Sequence, residues 1–169
     1  MSWQPHTTEP RWLPIARGYL GVREIPGPQH APVIMGWLRR LKAEWLGGDE
    51  TPWCGTFCAA VLDEVGVPLP ANWFRARAWL DWGARIVGEP IPGCIAVLER
   101  GPKFGHVGFV VGQTSAGDLL LLGGNQGNAV TVAAFARSRV LDLRWPSREP
   151  IPAVTQLAVR EAPRSTSEA

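Results

Sequence analysis

The first half of the chain repeats its hydrophobic residues at the spacing of an α-helix. Between Trp12 and Leu20 apolar side chains recur every three or four positions, and Gly21 is a typical end for such a helix. Pro32 suits the first turn of a second helix, whose apolar face continues to Leu41. The pattern therefore predicts two helices before the first glycine pair of the chain.

A third predicted helix has the clearest start. Thr51 can cap it, because a threonine oxygen accepts a hydrogen bond from a backbone N–H of the first turn. Pro52 would then be the first helical residue, and Cys54 would occupy the third position. The apolar run over 57–62 continues this helix, and Gly66 ends it.

After a shorter predicted helix over 75–82, the apolar spacing becomes that of β-strands. Turns that contain Gly, Ser and Asn separate the apolar runs, as is typical of antiparallel strands. The predicted strands cover 95–98, 107–111, 119–122, 130–134 and 140–145. Helices followed by strands predict an α+β fold, in which N-terminal helices pack on an antiparallel β-sheet.

Length and composition favour one globular domain. The chain has 169 residues, of which 46% are hydrophobic and 19% charged, which allows one core but not two. The net charge of +2 is small and the basic residues are scattered, so we expect no nucleic-acid partner. No apolar run approaches the length of a membrane span, so we expect no membrane insertion. We place a flexible lead at 1–9, the domain at 10–146 and a mobile, polar tail at 147–169.

Cysteine count and the N-terminal residues bear on where the protein is made. Three cysteines are an odd number, which does not favour a disulfide framework and suits a reducing cytoplasm. The first residues lack the basic and apolar regions of a signal peptide, so we expect none. If the protein acts outside the cytoplasm, another route must release it.

Three residues have the types and the chain order that papain-like enzymes use to activate a thiol. Cys54 lies at a helix start, where backbone N–H groups favour negative charge, and His106 can take its proton. Both effects predict a lowered thiol pKa. Asn125 can accept a hydrogen bond from the second imidazole nitrogen and so fix the tautomer. We expect the sulfur and the imidazole to meet at the rim of an open cleft, where the N–H of Cys54 stabilises an oxyanion.

Five further residues are candidates for contacting a substrate. Gly55 and Gly105 flank the cysteine and the histidine, and would let a substrate backbone approach closely. Most of the nine tryptophans have helical spacing and belong to the core, but Trp53 and Trp73 are candidates for a groove. Gln126, beside the asparagine, completes this set.

Structural interpretations compete with these chemical ones. A cysteine in an apolar helix is usually a small buried hydrophobe, which is our interpretation of Cys58. Asn125 lies in a Gly-Gly-Asn-Gln segment, where asparagine is also a common turn residue. A zinc site could use the three cysteines and His106, but the close ligand pairs typical of zinc sites are missing.

Four motifs occur in order along residues 10–146. They are Asp49-Glu50-Thr51-Pro52-Trp53-Cys54-Gly55-Thr56-Phe57, Pro92-Gly93-Cys94-Ile95-Ala96-Val97, His106-Val107-Gly108 and Gly123-Gly124-Asn125-Gln126-Gly127-Asn128. Together they resemble the CHAP-like group of papain-type cysteine peptidases and amidases, which hydrolyse bacterial cell walls. The resemblance implies a papain-like fold and hydrolysis of an amide bond of peptidoglycan, with Cys54 as nucleophile, His106 as base and then acid, and Asn125 as orienter.

The chain departs from this family pattern at two positions. Many members carry an acidic residue near the third site, where this chain has Gly123, so Asn125 would act alone or share its role with Gln126. A Pro-Gly-Asp-Ile segment often precedes the first strand, and here Cys94 replaces its aspartate, which we interpret as a packing substitution. The Asp-rich calcium loop of some CHAP domains is missing, so we predict no metal and no cofactor.

The leading hypothesis is a peptidoglycan hydrolase of the amidase or peptidase type that works through a cysteine thioester. It would be a phage lysin or an antibacterial effector, made in the cytoplasm and acting in the periplasm or cell wall after release or delivery. An effector would also have an immunity protein or delivery machinery as a partner. The alternatives are a papain-like acyltransferase or deamidase acting on a protein or lipid, and a non-catalytic wall-binding module.

Overall fold

The computed structural model describes residues 8–48 and 52–166, and in these ranges the α-helices precede the sheet. Their hydrophobic faces pack into one core, to which every α-helix contributes. The helices are α1 (Trp12–Gly18), α2 (Pro32–Arg40), a 3-10 helix (Glu44–Leu46), α3 (Cys54–Glu64), and the 3-10 helices Ala76–Asp81 and Arg137–Arg139.

The described residues form one six-stranded antiparallel sheet. The strands are β1 (Ala84–Arg85), β2 (Ile95–Arg100), β3 (Phe104–Gln113), β4 (Leu119–Gly123), β5 (Thr131–Phe135) and β6 (Val140–Trp145). Their order is β1-β6-β2-β3-β4-β5, so β2, β3, β4 and β5 follow one another as neighbours while β6 returns to pair with β2. The predicted α+β fold with an antiparallel sheet is confirmed.

Helix α3 lies at the centre of the molecule because almost all of it is apolar. Its residues from Cys54 to Leu62 are buried, and the helix packs against α1, α2 and β3. The ring of Phe57 contacts Phe109 of β3 edge-on, with centroids 6.0 Å apart. A helix that is hydrophobic on all sides has to be surrounded by other elements. Even so, among the described residues no helix is both long and apolar enough to cross a membrane.

The start of α3 differs from the prediction by two residues. Trp53 has a non-helical backbone (φ −124°, ψ 20°), so Cys54 is the first residue of the helix rather than the third. Pro52 therefore precedes the helix, and the predicted cap, Thr51, lies outside the described residues. The thiol still sits at the helix N-terminus, where the first backbone N–H groups have no partner within the helix.

Three other elements differ from their predictions. The predicted helix over 75–82 is the 3-10 helix Ala76–Asp81, and the two-residue strand β1 is not predicted at all. Strand β3 starts at Phe104 rather than at 107, so His106 is its third residue and does not precede it. The first two differences arise because short elements carry too few apolar positions to show a period.

The loop between β4 and β5 brings several polar groups back toward β3. Asn125 and Asn128 adopt left-handed backbone angles (φ 59° and 60°), which asparagine tolerates better than most residues. The loop is tied to the segment between α1 and α2, since the N–H of Glu24 donates to the carbonyl of Asn128 at 3.0 Å. This loop supplies one side of the site described below.

The segment predicted to be a mobile tail, 147–169, contacts the sheet over part of its described length. Leu157 joins the core, and Val159 and Arg164 form isolated parallel bridges with β3 and β5. The guanidinium of Arg164 binds both carboxylate oxygens of Asp118, at 2.7 and 3.0 Å. The mobility of this tail and the domain limits at 10 and 146 stay predictions, and most of the predicted lead, 1–9, lies outside the described residues.

Candidate active site

The N-terminus of α3 presents the thiol of Cys54 to a cleft. The residue is 7% exposed, and the backbone N–H groups of Cys54, Gly55 and Val107 lie near enough to its sulfur to favour the thiolate form. Two of these N–H groups belong to the first turn of α3, and the third belongs to β3. Because Val107 directly follows His106, the thiol lies beside the part of β3 that carries the histidine.

Burial raises the pKa of the Cys54 thiol above its ordinary value. The three backbone N–H groups and the positive charge of Arg100 act in the opposite direction, but they do not outweigh the loss of solvent. The predicted lowering of this pKa is therefore wrong for the resting protein. The helix terminus has the expected effect, but the thiol is held too far from water for that effect to prevail.

His106 lies in β3, opposite Leu98 of β2, and its imidazole is buried. The ring stacks on Phe135 with centroids 5.2 Å apart and an interplanar angle of 27°. Its Nε2 is 2.9 Å from Oε1 of Gln126. The expectation that both reactive groups lie at the cleft rim is thus wrong for the imidazole, which the packing of β3 places inside the protein.

The Gln126 amide determines which nitrogen of His106 carries the proton. Its NH₂ group donates to the carbonyl of Leu121 at 3.2 Å, and to the carbonyl and hydroxyl oxygens of Thr131, both at 3.0 Å. This end of the amide faces only acceptors, so the other end, facing the histidine, is the oxygen. A carbonyl oxygen can only accept, so Nε2 carries the hydrogen and Nδ1 is the basic nitrogen of the neutral ring.

The predicted orienter, Asn125, does not bind the histidine. Its Oδ1 is buried and makes no hydrogen bond with any described residue, while its backbone forms a left-handed turn. That turn lets the next residue, Gln126, direct its side chain back to His106. The turn interpretation of Asn125 therefore fits its backbone, and the expected hydrogen bond is made by its neighbour.

Gly123 leaves the space that the Gln126 amide occupies. A Cβ at this position would collide with Oε1 of Gln126 and come within 3.4 Å of Nε2 of His106. Gly123, which departs from the family pattern, is therefore required for the position that Gln126 adopts. The acceptor for Nε2 comes from position 126, and the residue at 123 is small enough to admit it.

The cleft beside Cys54 has a volume of about 690 Å³. One wall comes from residues 72–78, which include the start of the 3-10 helix Ala76–Asp81, and the other from the hairpin between β2 and β3. Arg77 joins the walls, because its guanidinium donates to the carbonyls of Phe104 and Gly101, both at 2.9 Å. Arg77 therefore holds the two walls of the cleft together, and Cys54 is part of the cleft lining.

Of the five predicted substrate-contacting residues, only Gly105 lines this cleft. Trp53 is 1% exposed and belongs to the core, where its ring nitrogen donates to Glu24 at 3.1 Å. Gly55 does allow a close approach, but the group that approaches is the carbonyl of Trp73. That carbonyl also accepts a hydrogen bond from Trp79. Gln126 is buried against His106. Trp53, Gly55, Trp73 and Gln126 thus lie outside the lining of this cleft, and contact of the five residues with a substrate stays a prediction.

Sequence reasoning missed the residues that give the cleft its charge. Four basic side chains line it, together with two phenylalanines; they are Arg75, Arg77, Arg100, Lys103, Phe74 and Phe104. They come from two segments about 25 positions apart in the sequence, so in the linear chain they are part of a scattered positive charge. The sequence indication was a basic residue directly beside a phenylalanine in each segment, Phe74-Arg75 and Lys103-Phe104.

The remaining cysteines are structural. Cys58 and Cys94 are both fully buried, which confirms the packing interpretation of each. Burial raises the pKa of Cys94 to about 12, so its thiol stays protonated at neutral pH. Within 8–48 and 52–166, no three His, Cys, Asp or Glu side chains are grouped so as to hold a metal ion.

Comparison with protein families matches residues 46–125 to the CHAP domain. The matched segment contains Cys54, His106 and both walls of the cleft, and it ends one residue before Gln126. No curated protein and no solved structure matches the chain. The family match confirms the resemblance inferred from the sequence motifs, and it indicates amidase- or peptidase-type hydrolysis of cell walls in general.

Proposed function

We propose that the protein hydrolyses an amide bond of the peptidoglycan peptide through a thioester on Cys54, a proposal supported by the match of residues 46–125 to the CHAP domain. The observation that carries the proposal is the hydrogen bond from His106 to Gln126. It makes Nδ1 the basic nitrogen, and the backbone N–H of the following residue, Val107, lies near the sulfur of Cys54. A cysteine, a base and a group that orients the base are what nucleophilic catalysis by a thiol requires.

In the first step, the sulfur attacks the carbonyl carbon of the scissile amide while the thiol proton passes to Nδ1 of His106. The raised pKa of Cys54 means that this proton is still on the sulfur when the substrate binds. Proton transfer and attack are therefore coupled, and the imidazole acts as a general base rather than as half of a preformed ion pair.

In the second step, the tetrahedral intermediate expels its nitrogen, which takes the proton from Nδ1 and leaves as an amine. A water molecule then attacks the thioester carbonyl and gives up a proton to Nδ1. The carboxylic acid product leaves as the proton returns to the sulfur, which restores the thiol. Throughout, Gln126 accepts from Nε2 and stabilises the positive charge that the ring carries between steps.

The helix terminus contributes where negative charge develops. Backbone N–H groups of Cys54 and Gly55 lie near the sulfur, and in the transition state the N–H of Cys54 would donate to the oxyanion. Asn125 has no part in the chemistry of this proposal. Its role is to form the turn that directs Gln126 toward the histidine.

The test compares wild-type protein with two cysteine variants on purified peptidoglycan. Wild-type protein should release new amino groups and soluble peptide fragments, and Cys54→Ala should abolish this release while preserving the fold. The matched control is Cys58→Ala, which removes a thiol from the same helix and should retain activity. Mass spectrometry of the fragments would identify the bond that is cut.

Each alternative hypothesis predicts a different result in the same experiment. Activity that survives Cys54→Ala would exclude the thiol as nucleophile. Transfer of an acyl group to an added amine, without digestion of the wall, would indicate an acyltransferase. Binding of wild-type protein to the wall with no release of products would indicate a non-catalytic wall-binding module.

A further inference from the structure

The cleft beside Cys54 is positively charged in a way that the overall composition does not suggest. Among the described residues that line it, four are basic and none is acidic. The chain as a whole carries 17 basic and 15 acidic residues, so this one-sided lining is a local feature. A cleft with one sign of charge and apolar walls concentrates ligands of the opposite sign.

The four basic side chains do not have the same structural role. Arg77 has a structural role, because its guanidinium donates to two backbone carbonyls of the opposite wall. The guanidinium of Arg75 lies over the ring of Phe74, 5.5 Å from its centroid, and that of Arg100 lies over Phe104 at 5.8 Å. Stacking on an aromatic face fixes the plane of a guanidinium in advance of binding.

Lys103 adds a third charge at the cleft, and its side chain is exposed at the turn between β2 and β3. Lys103 and Arg100 belong to one wall, and Arg75 belongs to the other. Positive charge therefore faces a bound ligand from both sides of the cleft.

We propose that this cleft binds a stem peptide carrying a free carboxylate next to the scissile amide, and that Arg75 and Lys103 recognise that carboxylate. This inference rests on the proposed function, and it adds the charge of the substrate. A peptide lies along the apolar walls, while carboxylate and guanidinium or ammonium groups form charge-assisted hydrogen bonds. The proposal therefore predicts a preference between two forms of one stem peptide, in which this carboxylate is free or is converted to an amide.

Cys54 lines the same cleft as Arg75 and Lys103. A carboxylate held by these two side chains would therefore share the cleft with the reacting sulfur, which would couple recognition of the carboxylate to placement of the scissile carbonyl.

Binding and hydrolysis can be separated by using the full-length Cys54→Ala protein. Calorimetry would measure its affinity for two synthetic muramyl tripeptides that differ only in a free or an amidated α-carboxylate on D-glutamate. We expect the carboxylate form to bind on the order of tenfold more tightly, with an advantage that shrinks as salt concentration rises.

Substitutions at the exposed basic residues would locate the preference. Lys103→Gln and Arg75→Gln, each combined with Cys54→Ala, should reduce the ratio of the two affinities. The control is Lys42→Gln in the same background, which changes the chain's only other lysine, an exposed residue outside the cleft. Equal affinities for both tripeptides, absence of binding, or a ratio that all three substitutions leave unchanged would overturn the inference.

Hydrolysis of the same two tripeptides, extended to include the cleaved bond, distinguishes failure of this inference from failure of the proposed function. Equal rates for both forms would refute carboxylate recognition and leave the hydrolase intact. Absence of hydrolysis of either form and of the whole wall would refute the proposed function. The binding ratio would still decide the charge preference of the cleft.

Discussion

At the residue scale, the site depends on the orientation of one amide group. The NH₂ of Gln126 has three acceptors around it, and these leave only its oxygen to face His106. A buried amide with all its partners in place is costly to reorient, because a flip would leave several polar groups unpaired. The tautomer of His106 is therefore determined by hydrogen bonds to β4 and β5, some distance from the thiol.

Replacing Gln126 by alanine should lower kcat on the order of a hundredfold or more while KM changes little, because the imidazole loses its orienting acceptor. The Asn125→Gly variant is the matched control, since glycine keeps the left-handed turn and removes the buried side chain. We expect a much smaller loss of kcat for it. A larger loss for Asn125→Gly than for Gln126→Ala would assign the orienting role to the asparagine.

Alkylation of the native protein by iodoacetamide should report the raised pKa of Cys54. Because burial favours the neutral thiol, the alkylation rate should rise with pH, and the midpoint of that rise should lie above the pKa of Cys54's reference group. That reference is free cysteine, whose pKa is about 8.5. Mass spectrometry from about pH 6 to about pH 10 would measure the rate, with Cys58 and Cys94, both fully buried, as unreacted internal references. A midpoint below that of free cysteine would reveal a preformed thiolate and imidazolium pair instead.

At the element scale, α3 is positioned by close contact with the 72–78 segment as well as by its apolar residues. Gly55 packs against the backbone of Trp73 and Phe74, and a Cβ there would collide with the Trp73 carbonyl. This contact holds the cleft wall against the first turn of the helix that carries Cys54. The same glycine therefore determines both the position of the helix and the width of the cleft.

The two substitutions Gly55→Ala and Gly36→Ala should have opposite effects on the free energy of unfolding. Gly55→Ala should lower it by about 1–3 kcal/mol, because the backbone facing the new methyl group cannot move without disturbing the wall. Gly36 lies in the middle of α2 with open space around its Cα, so Gly36→Ala should raise it by about 0.5–1 kcal/mol. Urea denaturation of both variants would measure the difference. Equal effects would mean that the 72–78 segment moves freely relative to α3.

At the scale of the whole molecule, the C-terminal segment crosses three strands that also build the site. The N–H of Gln113 in β3 donates to the carbonyl of Ala158, and the N–H of Ser165 donates to that of Ala134 in β5, both at 2.9 Å. Asp118, at the start of β4, binds Arg164 through two hydrogen bonds. The segment thus fastens the ends of β3, β4 and β5 that lie away from His106.

If this segment belongs to the folded unit, Leu157→Ala should lower the free energy of unfolding by about 2 kcal/mol or more, because Leu157 is only 7% exposed. The control is Val154→Ala, whose side chain is 49% exposed and which should change stability by less than about 0.5 kcal/mol. Thermal or chemical denaturation would compare the two. No effect of Leu157→Ala would support the prediction of a mobile tail over 147–169.

Most of the long elements and the types of the reactive residues can be read from the sequence alone. Apolar periodicity located α1, α2, the apolar body of α3 and five of the strands, because long elements repeat their hydrophobic positions often enough to be recognised. The motif order identified Cys54 and His106 as candidates, and the family match covers both. These features are local, or depend only on order along the chain, so they can be read without coordinates.

The arrangement of the site depends on contacts between segments that are distant in the chain. The choice of Gln126 over Asn125 depends on a turn and on acceptors from β4 and β5, which no spacing rule reveals. The pKa of Cys54 rises because packing removes solvent, which outweighs the helix N-terminus that the sequence does show. The positive cleft forms because folding brings 72–78 beside the hairpin of β2 and β3. The positions of arginines and lysines along the sequence do not show which of them lie close together in space.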